Sequence, residues 1–181
     1  GDPFTFVPGA DDNASGVAAT LEIARVMKKK SFIPSSTIQF VAFAAEELGL
    51  NGSYDYAQKA SAREEGITMM LNNDMIAYPS SSSSANWFVN IIDYDNSHNL
   101  GKEAQKLCEK HTLLNYVNDN ALSGRSDSYP FYANGYKPVF FIQRTLGDTY
   151  HTVNDLVSNL NFEYCREIVK ISCALIIDKN Y

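Results

Sequence analysis

Residues 37–47 read Thr37-Ile38-Gln39-Phe40-Val41-Ala42-Phe43-Ala44-Ala45-Glu46-Glu47. The run over residues 37–44 is almost continuously apolar, with Ile38, Phe40, Val41 and Phe43 at its centre. A strand that shows neither face to water needs no polar alternation, so this run predicts a strand buried on both sides. It ends at an acidic pair, Glu46 and Glu47. In open α/β sheets the carboxyl ends of the strands border the ligand cleft, so carboxylates there are candidates for a site.

Working outward, the same grammar repeats. Upstream, Pro8 and Gly9 mark a loop over residues 1–12, and a helix is expected over residues 13–30. Val17, Leu21, Ala24 and Met27 recur there at helical spacing, and Lys28, Lys29 and Lys30 suit the negative end of its dipole. Downstream, a helix is expected from residue 53 into the sixties. Further strands are expected over residues 68–74, 87–92, 113–117 and 138–142, and helices over 99–111, 129–134 and 161–178. Gly135 should close the short helix. Asn161 should cap the last one, which is expected to bury Phe162, Cys165, Ile168, Val169 and Ile176. Strands alternating with helices predict a three-layer α/β/α fold with a mostly parallel mixed central sheet.

The chain has 181 residues, suited to one domain, with a formal net charge of -6. That acidity argues against nucleic-acid binding, which favours basic patches. No apolar run reaches the ~20 residues of a membrane span. The three cysteines, Cys108, Cys165 and Cys173, are odd in number and widely spaced. They suggest neither a disulfide framework nor a thiolate zinc site. Cys165 and Cys173 read as small core residues.

Acidic and histidine side chains recur at strand ends. Asp11 and Asp12 precede the first helix, Glu46 and Glu47 follow residues 37–44, Asp74 ends the next strand, and His151 follows the strand at residue 140. Gathered in one cleft, these oxygen and nitrogen donors would suit zinc. Each also has an ordinary reading. Aspartates cap helices, glutamates favour a helix start, a single Asp favours a turn, and a lone His is commonly a polar loop residue.

The order and context of these residues resemble the co-catalytic zinc aminopeptidases of metallopeptidase family 28. The matching pieces begin with Pro8-Gly9-Ala10-Asp11-Asp12-Asn13-Ala14-Ser15-Gly16 and with residues 43–53. Asn73-Asp74-Met75, Ser126-Asp127-Ser128-Tyr129-Pro130-Phe131 and His151-Thr152-Val153-Asn154-Asp155 complete them. The resemblance implies a zinc exopeptidase that hydrolyses the amino-terminal peptide bond, with peptides as its partners. It implies Asp11 as the bridging ligand, with Glu47 and His151 completing one zinc site and Asp74 serving the other. Glu46 is implied as the general base. Asp12, Ser126 and Asp127 are expected to support these groups or meet substrate. A cis peptide bond is expected between Asp11 and Asp12. Tyr129, Phe131 and Tyr132 are candidates for a side-chain pocket, with ordinary packing as the alternative.

Two departures qualify the resemblance. The family's first ligand, a histidine in a His-x-Asp motif on an upstream strand, has no counterpart here, and His98 and His111 are not expected to replace it. The expectation is a single catalytic domain over residues 1–181 lacking that strand. One strong zinc site should then stand beside one weak or empty site, and the exposed edges should favour self-association. Ser128 stands where relatives commonly have His. Export to the periplasm or the exterior is implied only by the resemblance. Two other readings compete: a single-zinc acyltransferase similar to glutaminyl cyclase, and an inactive peptide-binding remnant.

Overall fold

The computed structural model describes residues 8–180. The expected loop over residues 1–7 lies outside them. Four strands form one mixed sheet: β1 (Met70–Asn73), β2 (Phe88–Ile92), β3 (Asn115–Val117) and β4 (Pro138–Gln143). Their spatial order is β1-β4-β2-β3. The β1–β4 and β2–β3 pairs are parallel, and β2–β4 is antiparallel. The sheet is therefore mostly parallel, as the alternation of elements predicts.

The helices are α1 (Ala14–Lys29), α2 (Asn51–Ala62), α3 (His98–His111), α4 (Ser128–Ala133) and α5 (Phe162–Asp178). They cover both faces. Alternate side chains of β4 show how: Val139 and Phe141 join Leu100, Ala104 and Ile168 in the cluster under α3 and α5. Phe140 and Ile142 pack the opposite way, with Tyr129 and Tyr132 of α4. All six residues of β4 are buried, which is why its sequence reads as an unbroken apolar run. The caps also follow the sequence. The Asn161 side chain accepts from the Tyr164 N–H, and Gly135 sits at φ 84° beyond α4.

The start of α1 is fixed by close approach. A Cβ on Gly16 would lie 2.0 Å from the Asn73 carbonyl oxygen, so only glycine lets the helix begin against the end of β1. That contact brings residues 11–13 beside residues 73–77.

The structure corrects three sequence expectations. Residues 37–44 pair with no strand among the described residues. Their side chains still alternate as in a strand. Ile38 packs with Ile23 and Ile176, while Phe43, of opposite parity, packs with Ala57 and Phe131. Between this segment and edge strand β1 lies a cleft of about 1350 Å³, lined by residues 36–43 and 65–74. Phe40 and Val41 are left 40% and 37% exposed beside it. The second correction has the same cause. Val17 and Leu21 line that cleft and are exposed, so α1 buries Ala19 and Ile23 in their place, together with the expected Met27. Thirdly, Phe162 is exposed at the first turn of α5. The cysteines are free, and Cys108 is buried.

Candidate metal centre

The site is assembled by loops at the ends of these elements. The turn over residues 9–13 is stapled from two sides. The Asp155 carboxylate accepts from the Asp11 N–H at 2.8 Å and from the Asp12 N–H at 3.0 Å. Asn13 Oδ1 accepts from the N–H groups of Gly16 and Met75, and the Ser15 hydroxyl accepts from the Ile76 N–H. The non-proline cis peptide bond of this turn joins Asp12 to Asn13, not Asp11 to Asp12.

These staples point the two aspartates in opposite directions. Asp11 is buried, and its Oδ1 accepts from the Ala77 N–H at 2.9 Å. Asp12 faces the cleft. Its Oδ2 lies 3.1 Å from His151 Nε2, and Glu47 Oε1 lies 3.1 Å from the same nitrogen. The donor atoms of Asp12, Glu47 and His151 all lie within 4.8 Å of one another. The expected trio thus forms with Asp12 in the place assigned to Asp11.

Glu47 is delivered by a strained turn: Ala45 and Leu50 both have positive φ, 58° and 59°. His151 has φ 55°, and Met75, next to Asp74, has φ 54°. Such conformations cost about 1–3 kcal/mol each in a non-glycine residue and cluster at functional sites. The His151 ring is stacked on Tyr150, with centroids 3.8 Å apart.

Asp74 is buried at the end of β1. Its Oδ2 accepts from the Ser126 hydroxyl at 2.6 Å, and that oxygen accepts in turn from Asn72 Nδ2. Its Oδ1 is buried and has no partner among the described residues. Asp127 accepts from the Ser53 hydroxyl at 2.5 Å, which ties α2 to the start of α4. Ser128 exchanges a hydrogen bond with the buried Tyr94 hydroxyl. His98 lies against Asp93 at the start of α3, and His111 ends that helix. Neither is grouped with the cleft residues.

Asp12, Glu46, Glu47, Asp74 and His151 share one cleft of about 410 Å³. Its electrostatics reflect crowding of like charge. Burial, then the negative charges of Asp74 and Glu47, push Glu46 up to about 7. Burial, opposed by the Ser126 hydrogen bond, pushes Asp74 up to about 7. Burial and Glu47 raise Asp12 to about 6, against the attraction of His151. Excess buried negative charge and an orphaned carboxylate oxygen are what a cation would relieve. The oxygen and imidazole donors fit zinc.

A carboxyl whose folded pKa is raised stabilises the protein at low pH, and that contribution is lost as pH rises through the folded value. Without metal, Asp12, Glu46 and Asp74 are therefore expected to withdraw stability between about pH 4 and 7. A bound cation should cancel the loss. Thermal unfolding with and without zinc should show a larger rise in Tm at about pH 8 than at about pH 5. Equal rises would contradict this electrostatic reading.

Two contributions escaped the sequence reading. Asp155 closes the quoted His151 motif, yet nothing in its spacing marks it as the brace of residues 11 and 12. Gln143 ends β4 fully buried, and its Oε1 accepts from the Tyr78 N–H.

Loops deliver Asp12, Glu47 and His151, and the end of β1 delivers Asp74, to one acidic cleft whose oxygen and imidazole donors suit a divalent metal ion. Residues 2–176 match the family model described as Peptidase family M28, and the chain belongs to that family. Aminopeptidase YwaD from Bacillus subtilis is 31% identical over 188 residues, covering 98% of this chain and 39% of that protein. The solved structure of BSAP, a zinc aminopeptidase from Bacillus subtilis, is 28% identical with a TM-score of 0.81. It covers 97% of this chain and 44% of its own. The aminopeptidase from Aneurinibacillus sp. strain AM-1 is 29% identical with a TM-score of 0.80, over 95% and 40%. The chain spans less than half the length of these relatives.

Proposed function

We propose that the protein carrying this chain is a zinc-dependent aminopeptidase. The observation that carries the reading is the convergence of Asp12, Glu47 and His151 on one point, with Glu46 and Asp74 in the same cleft. Asp12, Glu47 and His151 would hold one zinc ion, and Asp12 with Asp74 would begin a second site. Bound there, zinc would polarise the scissile carbonyl and acidify a water molecule. Glu46 takes the proton of the attacking water and passes it to the leaving amine. Its proton affinity, already lifted by burial and neighbouring carboxylates, suits that exchange near neutral pH. The negative cleft favours the free α-ammonium group of a peptide, which makes the reaction an exopeptidase one.

The wide cleft beside β1 supports a further part of the reading. It is bounded by an edge strand on one side and by the strand-like residues 37–43 on the other, and it reaches Asp12, Glu46, Glu47 and Asp74. We propose that an additional strand of the same protein fills it and brings a histidine to the second metal site. A strand seated there, not self-association, would cover Phe40, Val41, Val17 and Leu21. Among the described residues no helix is long and apolar enough to cross a membrane. Export is proposed on the family resemblance alone. The cyclase-like and remnant readings gain nothing from the comparisons, in which the matched relatives are named aminopeptidases.

The test is release of p-nitroaniline from leucine p-nitroanilide by the full-length protein. A chelator should abolish it, and added zinc should restore it. Activity that survives complete removal of metal would end the proposal.

A further inference from the structure

The cleft has one cation among its carboxylates. Arg125 lines it beside Leu122, Leu146 and Tyr150, opposite in charge to Asp12, Glu46, Glu47 and Asp74. Its place is fixed. The Arg125 N–H donates to the Leu122 carbonyl at 3.0 Å, and the next residue, Ser126, holds Asp74. Nη2 of Arg125 donates to the Tyr150 hydroxyl at 3.3 Å, and Tyr150 stacks on His151.

The chain has five arginines. Arg25, Arg63 and Arg166 pair with glutamates, and Arg144 lies over the Phe88 ring. Among the described residues Arg125 alone has neither a carboxylate nor a ring face as partner. A guanidinium offers five N–H donors in a planar fork. The tyrosine uses one, and the rest remain for a ligand.

We propose that Arg125 binds a carboxylate of the substrate, and that the enzyme prefers short peptides, dipeptides above all. The proposal rests on the aminopeptidase reading and adds the substrate class. The cleft is charged like a mould for a zwitterion. Its acidic end takes the free α-amine at the scissile bond, and its basic rim takes an α-carboxylate one residue further on. A volume of about 410 Å³ lies at the small end of ligand pockets and suits one small molecule. An anion without such a partner would be repelled by the four carboxylates, so Arg125 decides whether a charged carboxyl terminus is tolerated. The same fork could instead meet an acidic first side chain, and the experiment separates the two sources.

The zinc-loaded full-length protein is assayed on leucyl-alanine and on its carboxyl-terminal amide. The free dipeptide is expected to have the higher kcat/KM, by about tenfold or more, which is the scale of a charge-assisted hydrogen bond. Arg125→Gln should bring the ratio close to one, mainly through KM, and Arg125→Lys should restore part of it. A second arm compares glutamyl-alanine amide with leucyl-alanine amide. A preference for glutamate that R125Q removes would assign the carboxylate to the first side chain and support the arginine's role. If neither ratio changes in R125Q, the proposal is overturned while the aminopeptidase reading stands. If the zinc-loaded protein cleaves none of these substrates, the underlying reading fails and takes this one with it.

Discussion

Glu46→Gln in the zinc-loaded full-length protein is expected to lower kcat by about 10²–10⁴-fold, with zinc content unchanged. Glutamine preserves shape and hydrogen-bonding length but cannot accept the water's proton at neutral pH. Glu46 is outside the trio that meets at His151, so the metal should stay. Glu47→Gln should behave differently and weaken zinc binding, because Glu47 Oε1 faces His151 Nε2 directly. The readouts are steady-state rates and metal content on the same samples. If E46Q kept full activity, or lost its zinc, the division of labour between the adjacent glutamates would be wrong.

The second large effect separates the adjacent aspartates. Asp12→Ala is expected to weaken zinc binding by more than about 100-fold, beyond the cost of losing a group that merely orients a ligand. Activity should fall with it. Asp11→Asn should act on folding instead. Asp11 is buried and accepts from the Ala77 N–H, so weakening that bond should cost about 1–3 kcal/mol of stability. Metal competition titrations and thermal unfolding of the two variants give the comparison. Zinc lost in D11N and kept in D12A would return the ligand role to Asp11.

The different placement of Asp11 and Asp12 shows where the sequence runs out. The pattern over residues 9–16 locates the loop, but two neighbouring carboxylates are equivalent on paper. What separates them is a turn held by Asp155, Asn13 and Ser15, and those partners lie up to 144 positions away. Residues 138–143 were legible because burial on both faces leaves an unmistakable apolar run. Residues 37–44 carry the same signature and the same alternation of faces. They pair with no strand among the described residues, because a strand's hydrogen bonds depend on its neighbour, which composition does not reveal. Val17 and Leu21 misled for a related reason: periodicity identifies an apolar stripe, but not whether something lies against it. Arg125 and Tyr150 were invisible as a pair, because a surface arginine and an aromatic gain meaning only when one cleft wall holds both.

The Asp155 brace also sets when this site comes into being. Its carboxylate clasps the backbone of residues 11 and 12, and His151 arrives on the same late loop. Chains are made from the amino terminus, and contacts this distant in sequence are slow to close. A ribosome-bound intermediate would carry Asp11 and Asp12 without the Asp155 brace until residue 155 had been translated. Assembly of the Asp12, Glu47 and His151 cluster is thereby made to wait for the loop over residues 151–155, by topology and without an inhibitor.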